Sequence, residues 1–310
     1  MGEETVDVAI IGGGPAGITA ALYAKRKALS VKLFETKAVG GQTADAIWVE
    51  NYPGFKKIRG MELMQKMAEH LKEFGVEPEE AAEVTGVKKN GELFELDIEN
   101  GEEKLLAKSV ILCTGSKYRE LGVPGEKEFY GKGISYCATC DGPGFKDKVV
   151  AVVGAGNSGA NAALFFAGIC KKVYLIEFGE KPVFDSVYAQ PIKAESKIEL
   201  MLNMQTVEIE GKEKVNGIKV KDRKSAEEKV LAVNGVFVYI GSVPQNKIAK
   251  QVGLKLDGKG FVEVGKGNET SVPGVFAAGD ITGELAQTIV AAGSGAIAAT
   301  SVFEFIKGLK

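Results

Sequence analysis

A chain of 310 residues is long enough for two domains, each with its own core. Apolar residues make up 45% and charged residues 26%, and a net charge of −2 offers no basic field for nucleic acid or an anionic membrane. No run is expected to reach the length of a membrane span, and the apolar residues 6–11 are broken by Asp7 and followed by glycines, unlike a secretory signal. A soluble, cytoplasmic protein is the expectation.

Residues 6–11 read as a buried parallel strand, followed by Gly12-Gly13-Gly14-Pro15-Ala16-Gly17, an alanine-rich helix to about Lys27, and a strand from Val31 to Phe34 that ends at Glu35. This is strand, G-x-G-x-x-G, helix, strand, acid. Gly12 permits the turn, Gly14 lets a pyrophosphate approach the backbone, and Gly17 lets helix and strand pack closely. The helix N-terminus attracts the pyrophosphate, and Glu35 is placed to bond a ribose. Gly40–Thr43 and Glu50–Phe55 read as loops. Residues 60–74 carry Met61, Leu63, Met64, Met67, Leu71 and Phe74 at helical spacing, so the methionines are expected in the core, with His70 solvated. Residues 83–107 alternate like a small antiparallel hairpin set, and Ser109–Leu112 reads as a separate buried strand before Cys113-Thr114-Gly115, with Cys113 as a buried apolar residue.

Ser135-Tyr136-Cys137-Ala138-Thr139-Cys140-Asp141-Gly142 follows. Two cysteines separated by two residues can close and reopen a disulfide, the second thiol resolving a mixed disulfide formed by the first. Asp141 could supply a proton if its pKa were raised in a closed site. Half of a zinc site is the competing reading. It needs a second ligand pair, which Cys113, Cys170 and the single histidine, His70, do not form, so no metal is expected.

The first unit then returns. Residues 149–153 form a strand, Gly154-Ala155-Gly156-Asn157-Ser158-Gly159 the loop, a helix runs to about Gly168, and the strand Val173–Ile176 ends at Glu177. Eighteen positions separate Gly17 from Glu35 and eighteen separate Gly159 from Glu177, which argues for two homologous nucleotide-binding folds. Val207–Val220 and Lys229–Val233 suggest a further hairpin set, Val236–Ile240 a strand, and Gly241–Pro244 a break. Pro273–Asp280 reads as a strand ending in Gly279-Asp280, and a helix of small and apolar residues at about 286–306 closes the chain. Cys170 is read as structural. The fold class is α/β, with two Rossmann-like domains of the three-layer ββα type, the second inserted in the first. Residues 1–115 with 244–310 make one domain and 116–243 the other.

The order of these motifs, with Gly41-Gln42, Cys137-Ala138-Thr139-Cys140-Asp141-Gly142 and Gly274-Val275-Phe276-Ala277-Ala278-Gly279-Asp280, resembles the low-molecular-weight thioredoxin reductase family, FAD-dependent pyridine nucleotide-disulfide oxidoreductases of class II, over essentially the whole chain. The resemblance implies a homodimer. It implies FAD on the first domain, with its pyrophosphate at Gly12, Gly14, Pro15, Ala16 and Gly17 and its ribose at Glu35. Gly41, Gln42 and Asn51, Thr114 and Gly115, Gly279 and Asp280, and Ala286, Gln287 and Thr288 complete that set. A helix starting near Ala286 would also favour the anionic reduced flavin. The resemblance makes Cys137 and Cys140 the redox pair and Asp141 the general acid. It makes thioredoxin or a thioredoxin-like protein the partner, and it implies rotation of the inserted domain about hinges near Gly115–Arg119 and Gly241–Pro244. Glutathione-reductase-like enzymes carry their cysteines early and use a C-terminal histidine base. Gly40–Thr43 has no cysteine and the only histidine is His70, which argues against that branch.

The family reads the 2′-phosphate of NADPH with arginines just after the second strand of the inserted domain. Here Glu177-Phe178-Gly179-Glu180-Lys181 has none, and Arg119 and Arg223, the arginines of that domain, are distant in sequence. NADPH is therefore doubtful. NADH is possible, held by Gly154, Gly156, Asn157, Ser158, Gly159 and Glu177, and a ferredoxin or a reduced deazaflavin is the other candidate donor. A dithiol oxidase using the same pair, or a non-catalytic redox-sensing module, is the alternative function.

Overall fold

The computed structural model describes residues 4–46, 49–99 and 104–308, and divides into Met1–Lys117 with Val243–Lys310 as one unit and Tyr118–Ser242 as the other. In the first unit, β1 (Glu4–Ile11) leads through the glycine loop into α1 (Pro15–Arg26) and β2 (Val31–Phe34), which pairs parallel to β1. Val8 and Ile10 bury against α1, while Ala9 and Ile11 bury on the opposite face, so the second half of the strand, Val8–Ile11, is apolar as a doubly covered parallel strand requires. A single helical turn, α2 (Gly41–Ala44), precedes α3 (Gly60–Glu73). The hairpin β3 (Val84–Asn90) and β4 (Leu93–Ile98) is antiparallel, and β5 (Leu105–Leu112) follows. The chain leaves through β6 (Ser116–Tyr118).

The second unit begins with a two-residue strand, β7 (Ile134–Ser135), and a single turn, α4 (Ala138–Asp141). Then come β8 (Val149–Val153), α5 (Asn157–Ile169), β9 (Lys172–Ile176), α6 (Ser186–Ala194) and β10 (Ile198–Met201). A three-stranded antiparallel sheet, β11 (Met204–Gly211), β12 (Val215–Asp222) and β13 (Glu228–Ala232), precedes β14 (Gly235–Val238). The parallel sheet runs β10-β9-β8-β14-β7. One of its faces packs on α5 through Val150, Val152, Ala163 and Phe166, the other on the antiparallel sheet through Ala151, Val153, Ile218 and Val220. The chain returns through β15 (Ser242–Pro244), and α7 (Lys247–Val252), β16 (Val275–Ala277) and α8 (Thr288–Ile306) complete the first unit.

Several sequence expectations are corrected. Gly41–Ala44 is a helical turn rather than a loop, too short to leave a periodic pattern. The separate strand at Ser109–Leu112 is the second half of β5, whose first half pairs antiparallel with β4 and whose second half pairs parallel with β16; residues 100–103 of the expected hairpin set lie outside the described residues. Met61 is exposed, while Met64 is fully buried. α8 starts at Thr288, two residues after Ala286. It is also long and apolar enough to cross a membrane, but its small residues lie against α1: a Cβ on Gly295 would stand 2.1 Å from the carbonyl oxygen of Ala16. It is a core helix.

The two glycine loops are built alike. A Cβ on Gly17 would stand 1.8 Å from the Gly12 oxygen, and one on Gly159 would stand 1.8 Å from the Gly154 oxygen. The first turn of each helix therefore touches its own loop at backbone distance. Gly17→Ala is expected to destabilise the protein by about 1–3 kcal/mol, the usual cost of overpacking. Gly293→Ala, in the exposed interior of α8 with open space at its Cβ, should stabilise by about 0.5–1 kcal/mol. Urea unfolding of both variants checks the contrast.

Candidate active site

Cys137 and Cys140 form a disulfide with Cα atoms 5.3 Å apart, at the turn α4. Three anchors hold this turn. Ser135, buried in β7, is fixed by pairing with Phe237 of β14. Its hydroxyl accepts from the Cys137 N–H at 3.0 Å and donates to Asp141 Oδ2 at 2.6 Å. The Tyr239 hydroxyl, just beyond β14, accepts from the Ala138 N–H at 2.7 Å. The Cys140 N–H donates to Cys137 Sγ at 3.2 Å. Burial pushes the Asp141 carboxyl above the ordinary carboxylate range, and the Ser135 hydrogen bond pulls part of the way back. Tyr136, beside Cys137, donates to Glu126 at 2.9 Å. Glu126 is a buried carboxylate that also accepts from the Leu121 and Gly122 amides. Cys113 and Cys170 are buried thiols; burial pushes Cys170 up to about 11 and Cys113 higher still, so neither offers a thiolate near neutrality.

In the first unit, three polar contacts tie residues 42–51 to residues 280–288 across more than 230 positions of sequence. Gln42 Nε2 donates to Asp280 Oδ2 at 3.3 Å, the Thr43 and Thr288 hydroxyls lie 2.9 Å apart, and Asn51 Nδ2 donates to Gln287 Oε1 at 2.8 Å. Thr114 and Gln245 bond each other twice. Gly279, at φ +77°, brings Asp280 beside the start of α1, where a Cβ would strike Ala16. Burial raises the Asp280 carboxyl, with a Ser116 hydrogen bond opposing. Ala286 is exposed. Pro15 and Ala16 are buried in the first turn of α1. Glu35 accepts from the Gly13 and Lys37 amides, at 2.8 and 3.0 Å.

These residues fit a flavin dinucleotide. Gly14 and Gly41 face each other with no side chain between them, a Cβ on Gly41 reaching to 3.3 Å of the Gly14 Cα, so a phosphate backbone can lie against main chain. Gln42 Oε1 is buried without a hydrogen-bond partner among the described residues, although Gln42 Nε2 also holds the Ser116 carbonyl. A buried acceptor without a donor is costly, and a bound group carrying N–H or O–H would satisfy it.

The second loop repeats the first down to its acid. Glu177 accepts from the Ala155 and Gly179 amides, each at 2.8 Å, as Glu35 does from Gly13 and Lys37. Gly154 and Gly156 line the loop, and Gly159 is buried under the first turn of α5. Ser158 is exposed, and Asn157, at the start of α5, is bonded both ways to Asp185 at 2.7 Å. The arginine-free reading of this end requires correction. The turn between β12 and β13 carries Arg223 onto the Phe178 ring, 3.8 Å from guanidinium to centroid, with Nη1 donating to the Phe178 carbonyl at 3.0 Å. No linear spacing announces this contact, because 45 residues separate the partners. Ser135 and Tyr239 were likewise not singled out in the sequence; the position of Ser135 two residues before Cys137 was the available signal.

A model of the pyridine nucleotide-disulphide oxidoreductase family matches residues 6–295. The NADH dehydrogenase of Bacillus subtilis (strain 168) is 40% identical over 305 residues, covering 98% of this chain and 59% of that protein. The chain spans about 60% of the length of the curated relatives it matches. Among solved structures, thioredoxin reductase from Streptococcus pyogenes MGAS5005 is 36% identical, with a TM-score of 0.89 over 99% of this chain and 100% of that one. A ferredoxin-flavin thioredoxin reductase from Clostridium acetobutylicum is 33% identical, with a TM-score of 0.54 over 99% and 100%. The family implies FAD and a nicotinamide cofactor. On a redox disulfide, a doubled glycine loop and a match of this extent, the chain belongs to the pyridine nucleotide-disulphide oxidoreductases, in the low-molecular-weight branch of flavin-dependent enzymes that includes the thioredoxin reductases.

Proposed function

We propose that the chain reduces the disulfide of thioredoxin, or of a thioredoxin-like protein, and that NADH is its donor. The observation that carries this reading is the Cys137–Cys140 disulfide with the Asp141 carboxyl secured beside it. FAD, when bound, would relay an electron pair from the donor to that disulfide. Gln42, Asn51, Asp280, Gln287 and Thr288 would hold the flavin end, and Gly12–Gly17 with Glu35 the dinucleotide end. Once the pair is reduced, one thiolate attacks a sulfur of the partner's disulfide and displaces the other sulfur as a thiolate. The second cysteine then attacks the mixed disulfide. The Cys137–Cys140 bond reforms and the partner leaves with two more electrons and two more protons. Asp141 is placed in this scheme as the source of a proton for a thiolate of the pair. Gly115 and Gly241, at φ +69° and +99° with open space at their Cβ positions, stand where the chain passes between units and are assigned as hinges.

NADH is preferred because Glu177 sits at the end of β9 as Glu35 sits after β2. An acid there accepts hydrogen bonds from a ribose 2′-OH and repels a 2′-phosphate. The B. subtilis relative's name supports the choice. Arg223 on Phe178 is the observation that favours NADPH instead. The Asp185 carboxylate at Asn157 disfavours any pyrophosphate at the start of α5 and supports a ferredoxin or deazaflavin donor.

Anaerobic titration distinguishes the donors. Near-stoichiometric NADH is expected to bleach the flavin band, and Glu177→Arg to shift preference toward NADPH. Bleaching by NADPH alone, lost in Arg223→Ala, would assign the site to NADPH. Bleaching by neither would leave ferredoxin or deazaflavin.

The redox pair is tested separately. Cys137→Ser and Cys140→Ser should abolish thioredoxin reduction while FAD stays bound, and full turnover by either would contradict the assignment. Because burial keeps Asp141 protonated above the usual carboxylate range, its proton is available at lower pH and is lost as pH rises through the raised pKa. Asp141→Asn should lower turnover roughly 100-fold and remove that alkaline decline.

A further inference from the structure

We propose that Ser135 is a positioning residue whose single hydroxyl proton turns between Asp141 Oδ2 and the Cys137 carbonyl, keeping the Asp141 carboxyl hydrogen-bonded both with and without its proton. The inference rests on the proposed role of Asp141 as proton donor to the redox pair. Two acceptors lie within reach of Ser135 Oγ: Asp141 Oδ2 at 2.6 Å and the Cys137 oxygen at 3.3 Å. The hydroxyl has one proton and serves one of them at a time. Its oxygen meanwhile accepts from the Cys137 N–H and keeps a lone pair free. When Asp141 is ionised, the hydroxyl donates to Oδ2. When Asp141 is protonated, its own O–H donates to Oγ, and the Ser135 proton turns to the Cys137 oxygen. When an attacking thiolate forms a bond to one sulfur of the pair and breaks the Cys137–Cys140 bond, the carboxyl proton passes from its hydrogen bond with Oγ to the cysteine thiolate released, and the Ser135 proton turns back to Oδ2. The carboxyl becomes a carboxylate, the thiolate becomes a thiol, and Oδ2 keeps Ser135 Oγ as its partner in both states.

The surroundings keep this unit isolated. Among the described residues, the titratable groups around Asp141 are Tyr239, whose hydroxyl is committed to the Ala138 amide, and the two cysteines. The helix packed against the turn faces it with Phe165 and Phe166 around Gly142, which carry no charge. Ser135 itself is buried and pinned by strand pairing, so its oxygen stays in place while its proton rotates.

The test reads the carboxyl directly. Full-length protein labelled with ¹³C at aspartate carboxyls is titrated by NMR, with the Asp141 signal assigned by its absence in Asp141→Asn. Hydrogen bonds to an ionised group are roughly twice as strong as those to a neutral one. Ser135→Ala should therefore move the Asp141 midpoint upward, and Ser135→Thr should restore it. Opening of the oxidised Cys137–Cys140 pair by dithiothreitol, followed in stopped flow, should show the same displacement in its pH profile, with a roughly tenfold loss in Ser135→Ala and recovery in Ser135→Thr. If Ser135→Ala does not fold, Ser135→Val and Ser135→Thr, close in volume, repeat the comparison, with Val shifted and Thr not. An unchanged midpoint in the variant lacking the hydroxyl overturns the proposal, as does a failure of Thr to restore it. Wild-type protein inert toward thioredoxin, with the midpoint shift still seen in Ser135→Ala, would sink the proposed function and leave this inference standing.

Discussion

The contact on which both units depend is the approach of a helix's first turn to its own loop carbonyl, Gly17 over Gly12 and Gly159 over Gly154. At that distance no side chain fits. The strand, loop and helix become one rigid corner, with backbone N–H groups directed to the space beyond the strand ends. Each corner is then locked by the acid that ends the next strand. Glu35 holds the Gly13 amide and Glu177 the Ala155 amide, both at 2.8 Å. One architectural solution is thus used twice, and the two copies diverge only in what surrounds the loop. In the first copy a bare glycine faces a glycine. In the second, Asn157, Asp185 and Val183 crowd the same space, Val183 lending its amide to the Ala155 carbonyl.

The redox turn obeys a different constraint. A dithiol that must open and close needs a backbone that does not move with it. Here β7 and β14 supply rigidity through Ser135 and Tyr239, while the sulfurs sit on a turn of four residues. Burial raises the pKa of the carboxyl beside them, and the Ser135 hydrogen bond lowers it in part, the balance the proposed proton donor needs. That balance needs both burial and a donor. Burial alone would hold the proton too tightly, and exposure would release it too early.

Much of this was legible in the sequence. Strand β1, helix α1, strand β2 and their counterparts β8, α5 and β9 follow from period and glycine spacing, and Cys137-x-x-Cys140-Asp141 announces disulfide chemistry. The failures share a cause. Arg223 reaches Phe178 because a hairpin turn folds back over the sheet edge, and no local pattern encodes where a turn lands. Gln42, Asn51 and Thr43 meet Asp280, Gln287 and Thr288 through contacts closed only by tertiary packing, so motif resemblance could group most of them but could not show which bonds which. β5 was divided because its two halves pair with different strands, and its pattern changes where the partner changes. α8 was legible as a helix of small and apolar residues, but the helix on which those residues pack was not, because that contact is closed only by tertiary packing.

The central claim is that the Cys137–Cys140 disulfide exchanges electrons with a flavin bound by the same chain. Anaerobic dithionite titration of the purified yellow protein, followed at the flavin band, tests it most directly. The account predicts that full bleaching takes about four reducing equivalents per chain, two for FAD and two for the disulfide, and about two in Cys140→Ser. Complete bleaching of the unaltered protein at about two equivalents, with the disulfide still intact by thiol counting, would contradict it.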